Sequence, residues 1–285
     1  DFSGETDIEG EPTEGHDPRE DIAFLEEELD QWYLDILEKG LERYRSGYHG
    51  TEGDVEVDLA TQMDAFRTSE EEIKQVILAL GLDLDPDSWS EDDKLEIARE
   101  LRTRTKPMVV VANKMDTPAA QENYADITSD PAYDHLTIVP ASAHAEKALK
   151  EGAEAGVVDY QAGEDGFSVE GDLSDDQRKG LERIRGFVSE YGGTGVQQAL
   201  ETALFDELGA LAVFPGSANG RADTQGVFRD CFILPEGATT EDFAYHIHSD
   251  IGDGLLHGID CRSGRQIGGD HELDHRDVVE LVTTG

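Results

Sequence analysis

Two short, unbroken apolar runs constrain this chain more than any other feature. They are Pro107-Met108-Val109-Val110-Val111-Ala112 and Leu136-Thr137-Ile138-Val139-Pro140. Runs of this length, β-branched and without polar alternation, read as strands buried in a parallel sheet. Helical residues separate them, so the pair makes an α/β unit.

Around this unit the pattern is helical, then mixed. After an acidic, Gly-rich loop at 1–17, Asp17-Pro18 opens a helix, with Asp as cap and Pro at the first helical position. Its expected apolar stripe is Ile22, Leu25, Leu29, Trp32 and Ile36, ending in the Gly-rich stretch at 47–53. A second helix is expected over 55–67. A third follows Ser69, with Glu72 completing a capping box and a stop at Gly81. Ser90 caps a fourth, carrying Leu95, Ile97, Ala98 and Leu101. Beyond the apolar runs, 145–208 reads as helix interrupted by an acidic, Gly-rich loop at 151–173. Ser174 caps one helix there, ended by Tyr191-Gly192-Gly193, and another runs from Thr194 to Leu208. From Gly209 short strands are expected at Leu211–Phe214, Cys231–Leu234, Leu255–Asp260 and Val278–Val282, with a helix near Thr240–Ile247.

Asp and Glu total 65 against 23 Lys and Arg, a formal net charge of -42, and only eight of the 23 are Lys. The acid is spread along the whole chain, which argues against a local acidic tail. It reads as a surface adapted to high salt, where a Debye length of about 3 Å at 1 M screens the self-repulsion. The same charge argues against binding a phosphate backbone, and hence DNA, through clustered basic residues. Cys231 and Cys261 form no CxxC pair and no disulfide framework, so a reduced, cytoplasmic setting is the default. No apolar run is long enough to span a membrane.

The chemistry concentrates in Asn113-Lys114-Met115-Asp116, at the carboxyl end of the first apolar run. Ligands of parallel α/β sheets bind at that end. An ionised Asp only accepts hydrogen bonds, and guanine presents two adjacent donors, its ring N–H and its exocyclic amine. Adenine presents no such pair, and each unmade bond costs about 1–3 kcal/mol. Lys114 can lay its aliphatic stem along the base. The second run leads into Ser142-Ala143, a turn able to offer backbone N–H groups to the guanine oxygen.

On these residues the chain resembles the YchF/Obg-like P-loop GTPases. VVVANKMD (109–116) followed by TIVPASAHAE (137–146) looks like their base-recognition pair. DPREDIAFLEEELDQW (17–32) is similar to the segment after their switch region, particularly in the archaeal branch, and with the acidic surface points to haloarchaea. GTGVQQALETALFDELG (193–209) resembles their link into a last domain, and 211–282 looks like a TGS domain of the β-grasp type. The resemblance implies three parts: the C-terminal part of an α/β, Rossmann-like P-loop GTPase domain over 1–145, with a helical insertion at about 18–105; a helical region over 146–208; and an α+β TGS domain over 209–285. It implies a base site of Asn113, Lys114, Asp116, Ser142 and Ala143 for GTP or GDP. It further implies GTP hydrolysis with Mg²⁺ in the intact protein, and association with the ribosome or RNA through the TGS domain. Some relatives carry NxxE in place of NKxD and prefer ATP; Asp116 favours GTP here.

One departure stands out. The sequence contains no GxxxxGK(S/T), nor even a Gly-Lys dipeptide, and Asp1 opens in a segment that reads as mid-domain, as in a chain cut upstream. Phosphate cradling and Mg²⁺ do most of the work of phosphoryl transfer, so no catalytic residue is assigned, and this chain alone is expected to bind a base weakly at best and to show no nucleotide binding in a titration. The alternative is a non-catalytic module whose TGS domain binds RNA or a protein partner. The remaining polar residues read as structural. His246 and His248 fall on different faces and lack a third metal ligand. His271, Glu272, Asp274 and His275 read as a solvated loop, and Asp165, Asp175 and Asp176 as surface and capping groups. Cys231, Cys261, Trp32 and Trp89 are expected in cores.

Overall fold

The Asp17 carboxylate accepts a hydrogen bond from Arg19 N at 3.0 Å and starts α1 (Pro18–Arg45). In the computed structural model, which describes residues 1–46, 54–66, 68–217 and 230–284, α1 is followed by α2 (Val55–Gln62), α3 (Glu70–Ala79) and α4 (Glu91–Thr105). Ser69–Glu72 and Ser90–Asp93 form reciprocal capping boxes at α3 and α4. The Gly-rich stretch expected to end α1 lies outside the described residues. The second helix is shorter than expected, because a 3₁₀ turn at Asp64–Phe66 replaces its end.

The helices enclose a core of Tyr33, Leu37, Leu41, Leu59, Ile73, Ile77 and Ile97, among others. The expected stripe on α1 is rotated. Leu25 and Trp32 are 47% and 43% exposed, while Asp30, Tyr33 and Leu37 are buried. Over a 28-residue helix a stripe chosen by hydrophobicity drifts from the face that packs. Here a buried acid lies on the packed face. Arg102 Nε and Arg99 Nε donate to the two oxygens of Asp30 at 2.8 and 2.9 Å, tying α1 to α4. Trp32 lies edge-on to Tyr33 and Phe66, and the Lys106 ammonium sits 5.4 Å from its ring, so it is a surface residue. Trp89 is buried, as expected, and donates its indole N–H to Asp83 O at 2.8 Å.

The two apolar runs form β1 (Val109–Ala112) and β2 (Thr137–Pro140), paired in parallel with Val110 opposite Ile138, and α5 (Pro118–Thr128) crosses between them. Burial is lighter than the sequence suggests: Val111 is 45% exposed on β1, an edge of a two-stranded sheet among the described residues, although Val139 opposite it is buried. The covering core holds Ala112, Met115, Ile127, Leu149, Ile184 and Phe187.

After β2 comes α6 (Ala143–Glu154), which starts earlier than expected because the buried Ser142 caps it. The expected loop contains an antiparallel pair, β3 (Val158–Asp159) and β4 (Ser168–Val169), too short for a period-2 signal to show. Then follow α7 (Asp175–Tyr191), boxed by Ser174 and Gln177 and closed by Gly192 at φ 75°, and α8 (Val196–Glu201). The helix expected to run on to Leu208 continues instead as a π-helical turn, Thr202–Glu207.

The chain divides into two compact units, 1–199 and 200–285. The second contains β5 (Leu211–Pro215), β6 (Phe232–Leu234), α9 (Thr240–Ile247), α10 (Ser249–Asp253), β7 (Leu255–Asp260), β8 (Arg265–Ile267) and β9 (Val278–Thr283). The strands form one sheet in the order β6-β5-β9-β7-β8, parallel only between β5 and β9. Phe243 of α9 is fully buried with Val213, Leu234, Leu273 and Val279, the layout of a β-grasp. α10 and β8 are additions to the expected elements. Cys231 is exposed just before β6 and Cys261 half-buried just after β7, so neither sits in the core.

Candidate functional site

The loop 113–117 is stitched to the turn after β2 by the backbone. Ala141 N donates to Ala112 O at 2.8 Å and Met115 N to Ala141 O at 3.1 Å, with Met115 fully buried. This seats Asn113, Lys114 and Asp116 around one corner with Ser142 and Ala143. Lys114 adopts φ 65°. A left-handed Lys costs roughly 1–2 kcal/mol and is held by its surroundings, since Thr117 N and Oγ1 both donate to Lys114 O at 2.9 Å.

The five expected residues meet. Ser142 Oγ donates to Asp116 Oδ1 at 2.6 Å and accepts from Ala145 N at 3.1 Å, so the hydroxyl has one orientation. Asp116 is exposed, and among the described residues its second oxygen, Oδ2, accepts no hydrogen bond. Asn113 Oδ1 accepts from Ala143 N at 3.0 Å. The Ser142 N–H goes to Thr194 O at 2.9 Å. Both turn amides expected to face a base oxygen are therefore engaged within the protein, and a base oxygen would have to displace or share the Asn113 contact. The Lys114 ammonium pairs with Asp1 at 2.9 Å and Glu5 at 3.4 Å. A cleft of about 630 Å³ opens beside Asp116, Thr117 and His144, walled by Ala148, Val158, Leu181 and Ile184.

Sequence reasoning missed the support behind Ser142. Glu146, buried on α6, accepts from Thr194 Oγ1 and from Tyr160 OH, both at 2.6 Å, and pairs with Lys150 at 3.1 Å. Burial alone would raise its carboxyl; the hydroxyls of Thr194 and Tyr160 and the Lys150 ammonium outweigh that and hold it below the usual range. Burial, and next the Glu146 carboxylate, push the Tyr160 phenol up to about 12.

Gly195 is tighter still. At φ 79°, a Cβ there would lie 2.0 Å from Pro140 O and 2.7 Å from Ala141 Cα. The only sequence signal was the GTG at 193–195, which does not reveal what it approaches. Gly195→Ala combines left-handed strain with a backbone clash, each worth a few kcal/mol at most. It is expected to cost about 2–4 kcal/mol in denaturant unfolding, and a loss below 0.5 kcal/mol would show that the turn does not press on β2.

The other singled-out residues have structural roles. The His246 ring is edge-on to Phe232, and His248 Nδ1 accepts from Asp250 N at 3.1 Å. His275 is exposed, as a solvated loop residue would be, with its ring tilted at 59° against Phe205 at 4.4 Å and its Nδ1 accepting from Ala212 N. Among the described residues no group of three His, Cys, Asp or Glu could hold a metal ion. No helix among the described residues is long and apolar enough to cross a membrane.

Comparison with known proteins places the chain beside GTP-binding proteins. A family described as "Obg-like GTPase YGR210-like, G4 motif-containing domain" matches residues 111–217, and the TGS domain family matches 221–283. An uncharacterized GTP-binding protein of Methanocaldococcus jannaschii is 34% identical over 285 residues, covering 99% of this chain and 71% of that protein. An uncharacterized GTP-binding protein of Schizosaccharomyces pombe is 28% identical over 253 residues, 84% of this chain and 61% of its own length. The crystal structure of a GTP binding protein from Pyrococcus horikoshii matches with a TM-score of 0.73 at 32% identity, covering 100% of this chain and 77% of that one. The Schizosaccharomyces pombe YchF GTPase shares the fold, at TM-score 0.50 and 15% identity over 93% of this chain and 66% of that one. With a third of its residues identical to a relative along nearly its whole length, the chain belongs to the Obg-like, YchF-type family of GTP-binding proteins.

Proposed function

We propose that Asn113–Asp116 and Ser142–Ala143 bind the base of a guanine nucleotide. One observation carries this reading: Ser142 holds Oδ1 of Asp116 while Oδ2 stays open on an exposed carboxylate. An acceptor pair so fixed matches the two donors on guanine's edge and repels adenine's pattern. The Lys114 stem, held by Asp1 and Glu5, supplies an apolar face for the ring.

In this proposal, residues 1–145 belong to the GTPase domain, with the helices at about 18–105 inserted, 146–208 form a helical region, and 209–285 the TGS domain. GTP hydrolysis would need phosphate and Mg²⁺ contacts from residues outside these 285. Association with the ribosome or RNA through the TGS domain is part of the same proposal, supported by the family match at 221–283.

The test is an NMR titration of the chain in molar KCl with guanosine, GDP and ATP. Guanosine and GDP are expected to shift the amides of Lys114–Asp116 and Ser142–Ala143 to similar, weak extents, because the base is the handle; ATP is expected to leave them in place. ATP binding more tightly than GDP, or no response at millimolar guanosine, would overturn the assignment.

A further inference from the structure

We propose that Glu146 is a positioning residue for guanine recognition, acting on Asp116 through Thr194 and Ser142. The inference rests on the base-site reading above and adds what sets that site's selectivity.

The bonds run without a break. Glu146 Oε2 holds Thr194 Oγ1 at 2.6 Å, Thr194 O holds Ser142 N at 2.9 Å, and Ser142 Oγ holds Asp116 Oδ1 at 2.6 Å. Each inner member lacks solvent to replace a lost partner, since Ser142 is 0%, Thr194 3% and Glu146 6% exposed. In such a setting a fully satisfied network fixes one geometry, and a half-satisfied one does not. Glu146 also lies in the first turn of the helix that Ser142 caps, where the helix dipole favours a carboxylate. The Tyr160 hydroxyl, on the same Glu146 oxygen, connects the chain segment after β3 to this hook. Thr194 cannot slide to compensate, because Gly195 next to it is already pressed on Pro140 O.

A residue that only stabilises the fold would weaken every base equally. A residue that aims Asp116 changes discrimination. Inosine tests this directly, since it lacks the exocyclic amine and so one of the two donors that Asp116 would accept. The experiment compares wild type, Glu146→Ala, Glu146→Gln and Thr194→Val in molar KCl by two readouts. One is hydrogen exchange of the Ser142 amide in the ligand-free chain; the other is the ratio of guanosine to inosine affinity.

Glu146→Ala and Thr194→Val are expected to speed Ser142 exchange by about tenfold, one lost hydrogen bond's worth, with the Val110 and Ile138 amides unchanged. The guanosine preference is expected to fall toward parity in both. Glu146→Gln, which keeps an acceptor oxygen, should lie between them and wild type. Unchanged Ser142 exchange, a uniform loss of protection across β1 and β2, or a guanosine preference that survives in Glu146→Ala overturns the proposal. A wild-type chain that ignores guanosine overturns the base-site reading instead, and Ser142 exchange then still decides whether the hook exists.

Discussion

Asp116→Asn is expected to abolish the guanosine response of this chain. The carboxylate offers two acceptors to guanine's two donors; the amide offers one acceptor and one donor. One hydrogen bond is lost and the amide N–H is set against a base donor. Bonds to a charged group are worth about 1.5–3 kcal/mol each, so the two changes together lower guanine affinity by about a hundredfold or more. With the base as the proposed handle, such a loss is expected to take all amide shifts below detection. The same amide suits xanthosine, where a carbonyl replaces the exocyclic amine, and the variant is expected to respond to xanthosine instead. The fold should be untouched, since Asp116 is exposed and among the described residues its side chain bonds only to the Ser142 hydroxyl. A guanosine titration of the variant that matches wild type would show that Asp116 does not read the base.

The second large effect concerns the helical core. Asp30→Ala is expected to destabilise the helical core by about 3–5 kcal/mol, because it strands a buried guanidinium. Arg102 is 4% exposed and loses its 2.8 Å partner; Glu26, at 3.6 Å, compensates in part and places the loss toward the lower end. Surface pairs give the contrast. Arg104 and Glu100 lie 3.7 Å apart and about half exposed, so Glu100→Ala should cost about 0.5 kcal/mol or less. Molar salt sharpens the comparison, since a screening length of about 3 Å removes surface attractions but scarcely reaches a buried pair. Denaturant unfolding of both variants in molar KCl measures it. A loss below 1 kcal/mol for Asp30→Ala would mean that water reaches Arg102 in solution.

These two residues mark what was and was not legible in the sequence. Asp116 stood out because a strand end, a loop and a chemical pattern all lie within eight residues, VVVANKMD. Asp30 did not, since an acid on a helix is by default a solvated one. Its burial depends on Arg99 and Arg102, some seventy residues away, and on which face of α1 packs. The same split runs through the fold. Ser69, Ser90 and Ser174 announced their helices because a cap is closed within three residues. The pair β3–β4 and the π-helical turn after α8 left no such mark.

The sequence by itself determined the α/β unit, the helix starts and, through the resemblance, the family, and it singled out the residues proposed to read the base. All of these are encoded by neighbours along the chain or by motifs carried within one segment. Tertiary structure alone decided the orientation of Asp116 by Ser142, the Glu146–Thr194 hook behind it, the glycine at 195 and the rotated face of α1. Each depends on a partner that only folding brings within hydrogen-bonding or van der Waals distance, and no periodicity or local propensity records where that partner will be.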